Sequence, residues 1–279
     1  MDVTHTIAEV RSICADLPSP VGLVPTMGAL HEGHLSLVHR ARNECASVVA
    51  SLFVNPTQFA PDEDLDRYPR DEQRDSLLFA EAGVDLLFAP GMEEIYPPGH
   101  TTRVIVDRLS DRLEGANRPG HLEGVATVVT ALLSIVSPDR AYFGEKDAQQ
   151  LAVIRRLVRD LSMPVEVVAC PTVRDSDGLA LSSRNAYLSA EERRQALVLS
   201  AGLRTAEMAF GNGMRDAETL RGIVRECVEA QPLAVPDYVS LADAETLEEL
   251  DGRVDGEALL SLAVRVGSTR LIDNVTLRP

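Results

Sequence analysis

The residues best suited to chemistry stand just after an early apolar run. Val24-Pro25-Thr26-Met27-Gly28-Ala29-Leu30-His31-Glu32-Gly33-His34 closes a short buried-strand pattern and opens directly into a helical one. Two imidazoles three residues apart at a helix start share one face of its first turn. The free backbone N–H groups at that end favour an anion. The glycine spacing does not fit G-x-G-x-x-G, and no G-K-[ST] follows, so neither a dinucleotide fingerprint nor a P-loop is present. The string is an H-x-G-H signature. Gly33 leaves room for a flat base or ribose against the backbone, and Met27 and Gly28 line the same approach. With no third ligand type nearby, a two-histidine metal site is not expected.

Further polar clusters follow later apolar runs. Phe53-Val54-Asn55-Pro56-Thr57-Gln58-Phe59 places two amides at a strand end, where donors and acceptors suit a small substrate with hydroxyls and a carboxylate. Phe143-Gly144-Glu145-Lys146-Asp147-Ala148-Gln149-Gln150 sits at a strand-to-helix junction, where a mobile ammonium near a helix start suits nucleotide phosphates. Asp147 and Gln150 share a face there. Leu181-Ser182-Ser183-Arg184-Asn185 lies behind Arg174-Asp175-Ser176-Asp177-Gly178 and offers two hydroxyls and a forked guanidinium to phosphate oxygens. Ser189, ahead of Ala190-Glu191-Glu192, reads as a capping box. Glu114-Gly115-Ala116-Asn117-Arg118-Pro119-Gly120-His121 is a glycine-punctuated loop before a helix, a lid or a turn.

The elements that must position these groups alternate. Strand patterns occupy Val21–Val24, Val48–Val54, Val84–Phe88, Arg103–Val106, Arg140–Phe143 and Val165–Ala169. Helical spacing occupies His34–Ala46, Asp71–Ala82, Val125–Val136 and Ala148–Leu161, the last stopped by Pro164. The alternation predicts an α/β fold with a parallel sheet covered by helices on both faces, and ligands at the carboxyl ends of its strands. From about Val173 the pattern changes to a long charged helix (Ala190–Phe210), a helix at Ala217–Ala230, and strands at Tyr238–Leu241, Leu259–Val266 and Arg270–Ile272. This predicts a smaller C-terminal α+β domain.

Bulk properties agree with that plan. The 279 residues allow one large domain or two smaller ones, and 45% hydrophobic with 25% charged residues is ordinary globular usage. Net charge −16 removes the electrostatic footprint for nucleic acid or anionic membrane. Cys14, Cys45, Cys170 and Cys227 are scattered, which suggests neither a disulfide framework nor a structural metal. The apolar run Val125–Val136 is too short to span a bilayer, so a soluble, cytoplasmic protein is expected. Among 27 basic residues the one lysine is Lys146, and all the others are arginine.

P-T-M-G-A-L-H-E-G-H, F-V-N-P-T-Q-F, R-P-G-H, F-G-E-K-D-x-Q-Q and L-S-S-R-N occur in this order across the whole length. Together they resemble the pantoate–β-alanine ligase (pantothenate synthetase) family of the H-x-G-H nucleotidyltransferase superfamily, a resemblance that extends to Leu271-Ile272-Asp273-Asn274 near the end. The resemblance implies a Rossmann-like domain over 1–172 that binds nucleotide and pantoate. It also implies a small lid domain over 173–279 that closes over ATP, and a homodimer. It implies a ligase that uses ATP, with Mg²⁺, to condense pantoate and β-alanine through a pantoyl-adenylate. Carried over by motif, Met27, Gly28, Ala29, Leu30, His31, Glu32, Gly33 and His34 bind ATP, with His34 as proton donor and His31 beside it on the phosphates. Gly144, Glu145, Lys146, Asp147, Val173, Leu181, Ser182, Ser183 and Arg184 complete the nucleotide site, Lys146 and Arg184 among the catalytic groups. Gln58 and Gln150 hold pantoate, Gln58 also near β-alanine, and Asn55 shapes that pocket. Asp75 stands as a candidate magnesium ligand. The alternatives are another H-x-G-H nucleotidyltransferase with a small acceptor, or a non-catalytic ATP sensor.

Overall fold

The computed structural model describes residues 1–60, 63 and 65–279. The chain divides into two compact units, Met1–Glu145 with Val153–Pro171, and Lys146–Ala152 with Thr172–Pro279.

The first unit runs β1 (Asp2–Thr4), α1 (Ile7–Asp16), β2 (Val21–Thr26), α2 (Glu32–Glu44), β3 (Ser47–Leu52), α3 (Glu72–Glu81), β4 (Leu86–Phe88), α4 (Met92–Ile95), α5 (Leu113–Asn117), α6 (His121–Val136) and β5 (Arg140–Gly144). The helix α7 (Ala148–Asp160) and strand β6 (Glu166–Cys170) follow. The strands form one sheet in the order β1-β4-β3-β2-β5-β6, with every pairing parallel. Alternate strand residues serve the two faces. Val24, Val48, Ala50, Leu87 and Tyr142 join a core with Leu35, Val38 and Ala41 of α2 and Phe79 of α3. Helix α6 lies against β2 and carries α1; it is apolar on nearly every side and correspondingly buried.

Between β2 and β5 the strand order reverses. From β2 the chain moves outward through β3 and β4, then returns to lay β5 and β6 on the other side. β2 pairs with β3 at six positions but with β5 only at Gly22 and Leu23, so the two strands part toward their carboxyl ends. A doubly wound sheet binds its ligands at such a point.

The second unit contains α8 (Ala190–Ala196), α9 (Val198–Gly211) and α10 (Ala217–Glu229), followed by β7 (Ala234–Asp243), β8 (Ala258–Val266) and β9 (Thr269–Leu277). Its three strands are antiparallel in the order β7-β8-β9. Their inward residues, among them Leu241, Leu260, Leu262 and Val264, bury Leu199, Leu203, Leu220 and Val224 of the helices.

Several predicted elements differ. Arg103–Val106 is not a strand: the Val104 N–H donates to Thr127 Oγ1 on α6, and Ile105 is exposed, so no sheet neighbour takes its backbone. The strand expected over Val48–Val54 stops at Leu52, where the chain turns toward the 3-10 turn Pro56–Gln58. The long helix over Ala190–Phe210 is two helices meeting at Leu197. β1 and α1 lie outside the predicted elements; the three residues of β1 are too few to show a period.

Candidate active site

The H-x-G-H turn is shaped by the sheet end beneath it. Gly28 and Ala29 both adopt left-handed backbone, with φ of 87° and 52°. A tight turn of this kind aims successive N–H groups to one side, as a concave nest. The Gly28 N–H donates to Thr26 Oγ1 at 3.3 Å, and those of Ala29 and Leu30 donate to Asp75 Oδ2 and Oδ1 at 2.8 and 3.0 Å. A Cβ on Gly28 would lie 2.8 Å from Leu52 Cδ1 and 2.9 Å from Asp75 Oδ2, so glycine is required by both φ and space. Asp75 comes from α3 and is 1% exposed. Its Oδ1 also accepts from Arg74 Nη1 at 3.1 Å, while Arg74 Nη2 donates to the Leu30 carbonyl at 3.0 Å.

The nest is therefore filled by the protein's own carboxylate. Asp75, expected as a candidate magnesium ligand, sits beneath the turn with each oxygen accepting a main-chain N–H. Among the described residues no group of three or more His, Cys, Asp or Glu is arranged to hold a metal ion.

His31 is the N-cap of α2. Its Nδ1 accepts the Gly33 N–H at 3.1 Å, so the neutral ring carries its proton on Nε2 and presents a donor there. The His34 ring stacks on it with centroids 4.1 Å apart and 33° between planes. Glu32, Gly33 and His34 form the first turn behind the cap.

The loop after β3 is tied to this turn. Gln58, 8% exposed, directs Nε2 to Met27 Sδ at 2.8 Å. Asn55 is more completely engaged. Its Nδ2 donates to Gln58 Oε1 and to the Gly124 carbonyl, each at 3.1 Å. Its Oδ1 accepts from the Thr57 N–H, the Thr57 hydroxyl and the Tyr96 hydroxyl at 3.3, 2.9 and 2.9 Å. A side chain so occupied fixes the loop, whereas Gln58 keeps one N–H and one lone pair beyond its contacts among the described residues. The expected Glu114–His121 loop is α5 and a turn into α6. A Cβ on Gly115 would fall 1.7 Å from the Ser110 carbonyl oxygen, so this segment is tightly packed.

The remaining motif residues belong to the second unit, save Gly144, which ends β5, and Glu145, which opens the 3-10 turn after it. Lys146 opens the segment before α7; its Nζ lies 3.7 Å from Asp147 Oδ1, and its carbonyl accepts from Asn274 Nδ2 at 2.8 Å. Gln149 is buried and Gln150 partly so. Val173 and Leu181 face across a narrow hairpin, the Leu181 N–H donating to the Val173 carbonyl at 3.0 Å. Arg174 locks this hairpin by a two-pronged pair with buried Asp273, at 2.6 and 2.9 Å. Ser182 caps the 3-10 turn Ser183–Tyr187 by accepting the Arg184 N–H at 3.3 Å, and Asn185 Nδ2 reaches the Ala180 carbonyl at 3.0 Å. Ser189 forms the expected capping box with Glu192. In each unit, then, the motif residues meet their local partners.

Sequence reasoning missed several supports. Tyr96, Arg118, His121 and Gly124 all brace the 55–58 turn, and Arg174 with Asp273 braces the 173–181 hairpin. The R-P-G-H string was the one available signal for the first group; nothing marked Tyr96.

Comparison with known proteins agrees over the full length. The family described as Pantoate-beta-alanine ligase matches residues 2–276. The chain is similar to a pantothenate synthetase of Chloroflexus aurantiacus, 57% identical over 274 residues, covering 98% of this chain and 97% of that one. A crystal structure of pantothenate synthetase from Thermus thermophilus superposes with a TM-score of 0.94 at 53% identity, covering 100% of both chains. A pantoate-beta-alanine ligase from Francisella tularensis, solved with beta-gamma ATP and beta-alanine, gives 0.80 at 35% identity, covering 99% of this chain and 97% of that one.

Proposed function

Because the chain belongs to the pantoate-beta-alanine ligase family, we propose that it uses ATP to join pantoate to β-alanine, releasing pantothenate, AMP and pyrophosphate. The observation that carries this reading is the H-x-G-H turn at the strand-order reversal, with Gln58 of the next strand's loop reaching Met27. The Francisella relative bound to beta-gamma ATP and beta-alanine supports the substrates.

A free carboxylate is a poor acyl electrophile. One carboxylate oxygen of pantoate first attacks the α-phosphorus of ATP; the bond to the bridging oxygen breaks, and pyrophosphate leaves with the electron pair. The β-alanine amine then attacks the acyl carbon of the adenylate, loses a proton, and AMP departs. Charge grows on the phosphate oxygens in the first step, so donors held in place before reaction accelerate it. Holding amine and adenylate aligned supplies much of the second, on the order of 7–11 kcal/mol. No covalent nucleophile is needed.

We assign His34 as proton donor and the Nε2–H of His31 to the phosphates. Lys146, Arg184, Ser182 and Ser183 supply further phosphate donors. Met27, Gly28, Ala29, Leu30, Glu32 and Gly33, with Gly144, Glu145, Asp147, Val173 and Leu181, are assigned to the rest of the nucleotide. Gln58 and Gln150 take pantoate, Gln58 also lying near β-alanine, and Asn55 holds the shape of that pocket. We assign magnesium to the substrate, as Mg·ATP; among the described residues no group of three or more His, Cys, Asp or Glu is arranged to hold it. The family resemblance further supports a cytoplasmic homodimer, which sedimentation of the purified protein tests; no helix among the described residues is long and apolar enough to cross a membrane.

Pyrophosphate–ATP exchange with pantoate present and β-alanine absent tests the reading. Exchange is expected only with pantoate, and β-alanine then yields AMP and pantothenate in equal amounts. Exchange without pantoate overturns it, and AMP left attached to the product identifies simple nucleotidyl transfer instead.

A further inference from the structure

His121 opens α6 with its ring engaged at both nitrogens. Nδ1 lies 2.8 Å from the main-chain oxygen of Gln58, an atom that only accepts, so Nδ1 carries a proton. Nε2 lies 3.0 Å from Arg118 Nη1, an atom that only donates, so Nε2 carries none. The partners thus select a neutral ring in a single tautomer. Arg118 is itself oriented by Glu63, whose two oxygens accept from its Nε and Nη2, each at 2.6 Å. The same Nη2 reaches the Gln58 carbonyl at 3.3 Å.

The turn that carries Gln58 is pressed onto the same helix. A Cβ on Gly124 would lie 2.5 Å from the Thr57 carbonyl oxygen, and the Gly124 carbonyl accepts from Asn55 Nδ2. The backbone on which Gln58 stands is therefore held by helix contact at 124 and by the His121 and Arg118 donors at its own carbonyl.

We propose that His121 is a positioning residue for the ligase reaction: its Nδ1–H, kept in that tautomer by Arg118 and Glu63, fixes the main chain of Gln58 so that the Gln58 side-chain amide meets pantoate in one orientation. The proposal rests on the assignment of Gln58 to pantoate. It extends the role of the R-P-G-H segment from a turn to a clamp. Burial and the Arg118 charge push the His121 ring down to about 4, against the upward pull of the Gln58 hydrogen bond and of the Glu114 and Glu63 charges, which keeps the clamp neutral at working pH.

Steady-state kinetics of His121→Phe, His121→Asn and Gln58→Ala test it, each checked for native circular dichroism. His121→Phe removes the donor and is expected to raise KM for pantoate about tenfold while KM for ATP stays within about twofold. His121→Asn, whose amide offers an N–H near the Nδ1 position, recovers most of that loss. An unchanged KM for pantoate in folded His121→Phe, or a rise matched by KM for ATP, overturns the proposal. If Gln58→Ala itself leaves KM for pantoate unchanged, the assignment of Gln58 fails and the proposal falls with it. A measurement on the unaltered protein stands apart from any folding defect. Nitrogen-15 shifts of His121 between pH 6 and 8 should report protonated Nδ1 and bare Nε2, and the opposite tautomer or an imidazolium overturns the clamp.

Discussion

Replacing Asp75 with asparagine changes the anchor of the H-x-G-H turn by one atom. In the native turn each carboxylate oxygen accepts one main-chain N–H, from Ala29 at 2.8 Å and from Leu30 at 3.0 Å, at a side chain that is 1% exposed. Asparagine keeps one acceptor and turns an NH₂ toward the other N–H. One charge-assisted bond is lost, about 1.5–3 kcal/mol, and a buried donor is left facing a donor, about 1–3 kcal/mol. The two terms share one site and do not add in full, so about 2–4 kcal/mol is expected. The Arg74 partner is half exposed and adds well under about 1 kcal/mol. If the turn stays strained, that loss lowers folding stability; if it relaxes, it must be restored at the transition state, which slows adenylation by about 30- to 1,000-fold. Urea denaturation and pantoate-dependent exchange, measured together, should account for the total between them. Magnesium separates anchor from ligand: a weakened metal site recovers as Mg²⁺ is raised, whereas a misshapen turn does not. A variant with native stability and native exchange, or one rescued by excess Mg²⁺, would refute the reasoning.

Other substitutions and conditions probe different links. Lys146→Ala removes an ammonium whose Nζ has Asp147 at 3.7 Å, while the main-chain oxygen that receives Asn274 is kept. It should cut exchange by about 10²- to 10³-fold in a folded protein, and near-normal exchange would remove Lys146 from the phosphate site. The His121 ring, held near 4 when folded and free to charge near 6.5 when unfolded, contributes its stability in full above pH 6.5 and loses it as pH falls toward 4. The loss is up to about 3 kcal/mol. Urea midpoints of the native protein and His121→Asn should therefore converge between pH 7.5 and 4.5, and a constant gap contradicts the assignment.

The chemistry-bearing strings were legible because each is local. H-x-G-H, F-G-E-K-D and L-S-S-R-N keep their residues within a turn or two of one another, and the strand and helix periods around them mark where the strands end. Order in sequence was enough to indicate the family and the α/β class. The failures were equally physical. Arg103–Val106 has a strand's composition, but whether a partner strand accepts its backbone is settled elsewhere, and here Thr127 on a helix does. Leu197 interrupts a run whose helical spacing continues through it.

What holds the site in shape lies at long sequence distance and left little trace. Asp75 under the Gly28–Leu30 nest, Gly124 against Thr57, His121 on the Gln58 carbonyl and Asp273 on Arg174 join residues 45 to 99 positions apart. A carboxylate is a metal ligand or a turn anchor according to which donors surround it, and composition names neither. The sequence by itself determined which groups are present and in what local order. Only the tertiary structure decided which of them were already satisfied by the protein and which kept capacity for a substrate, because hydrogen-bond partners are assigned by folding across the chain rather than along it.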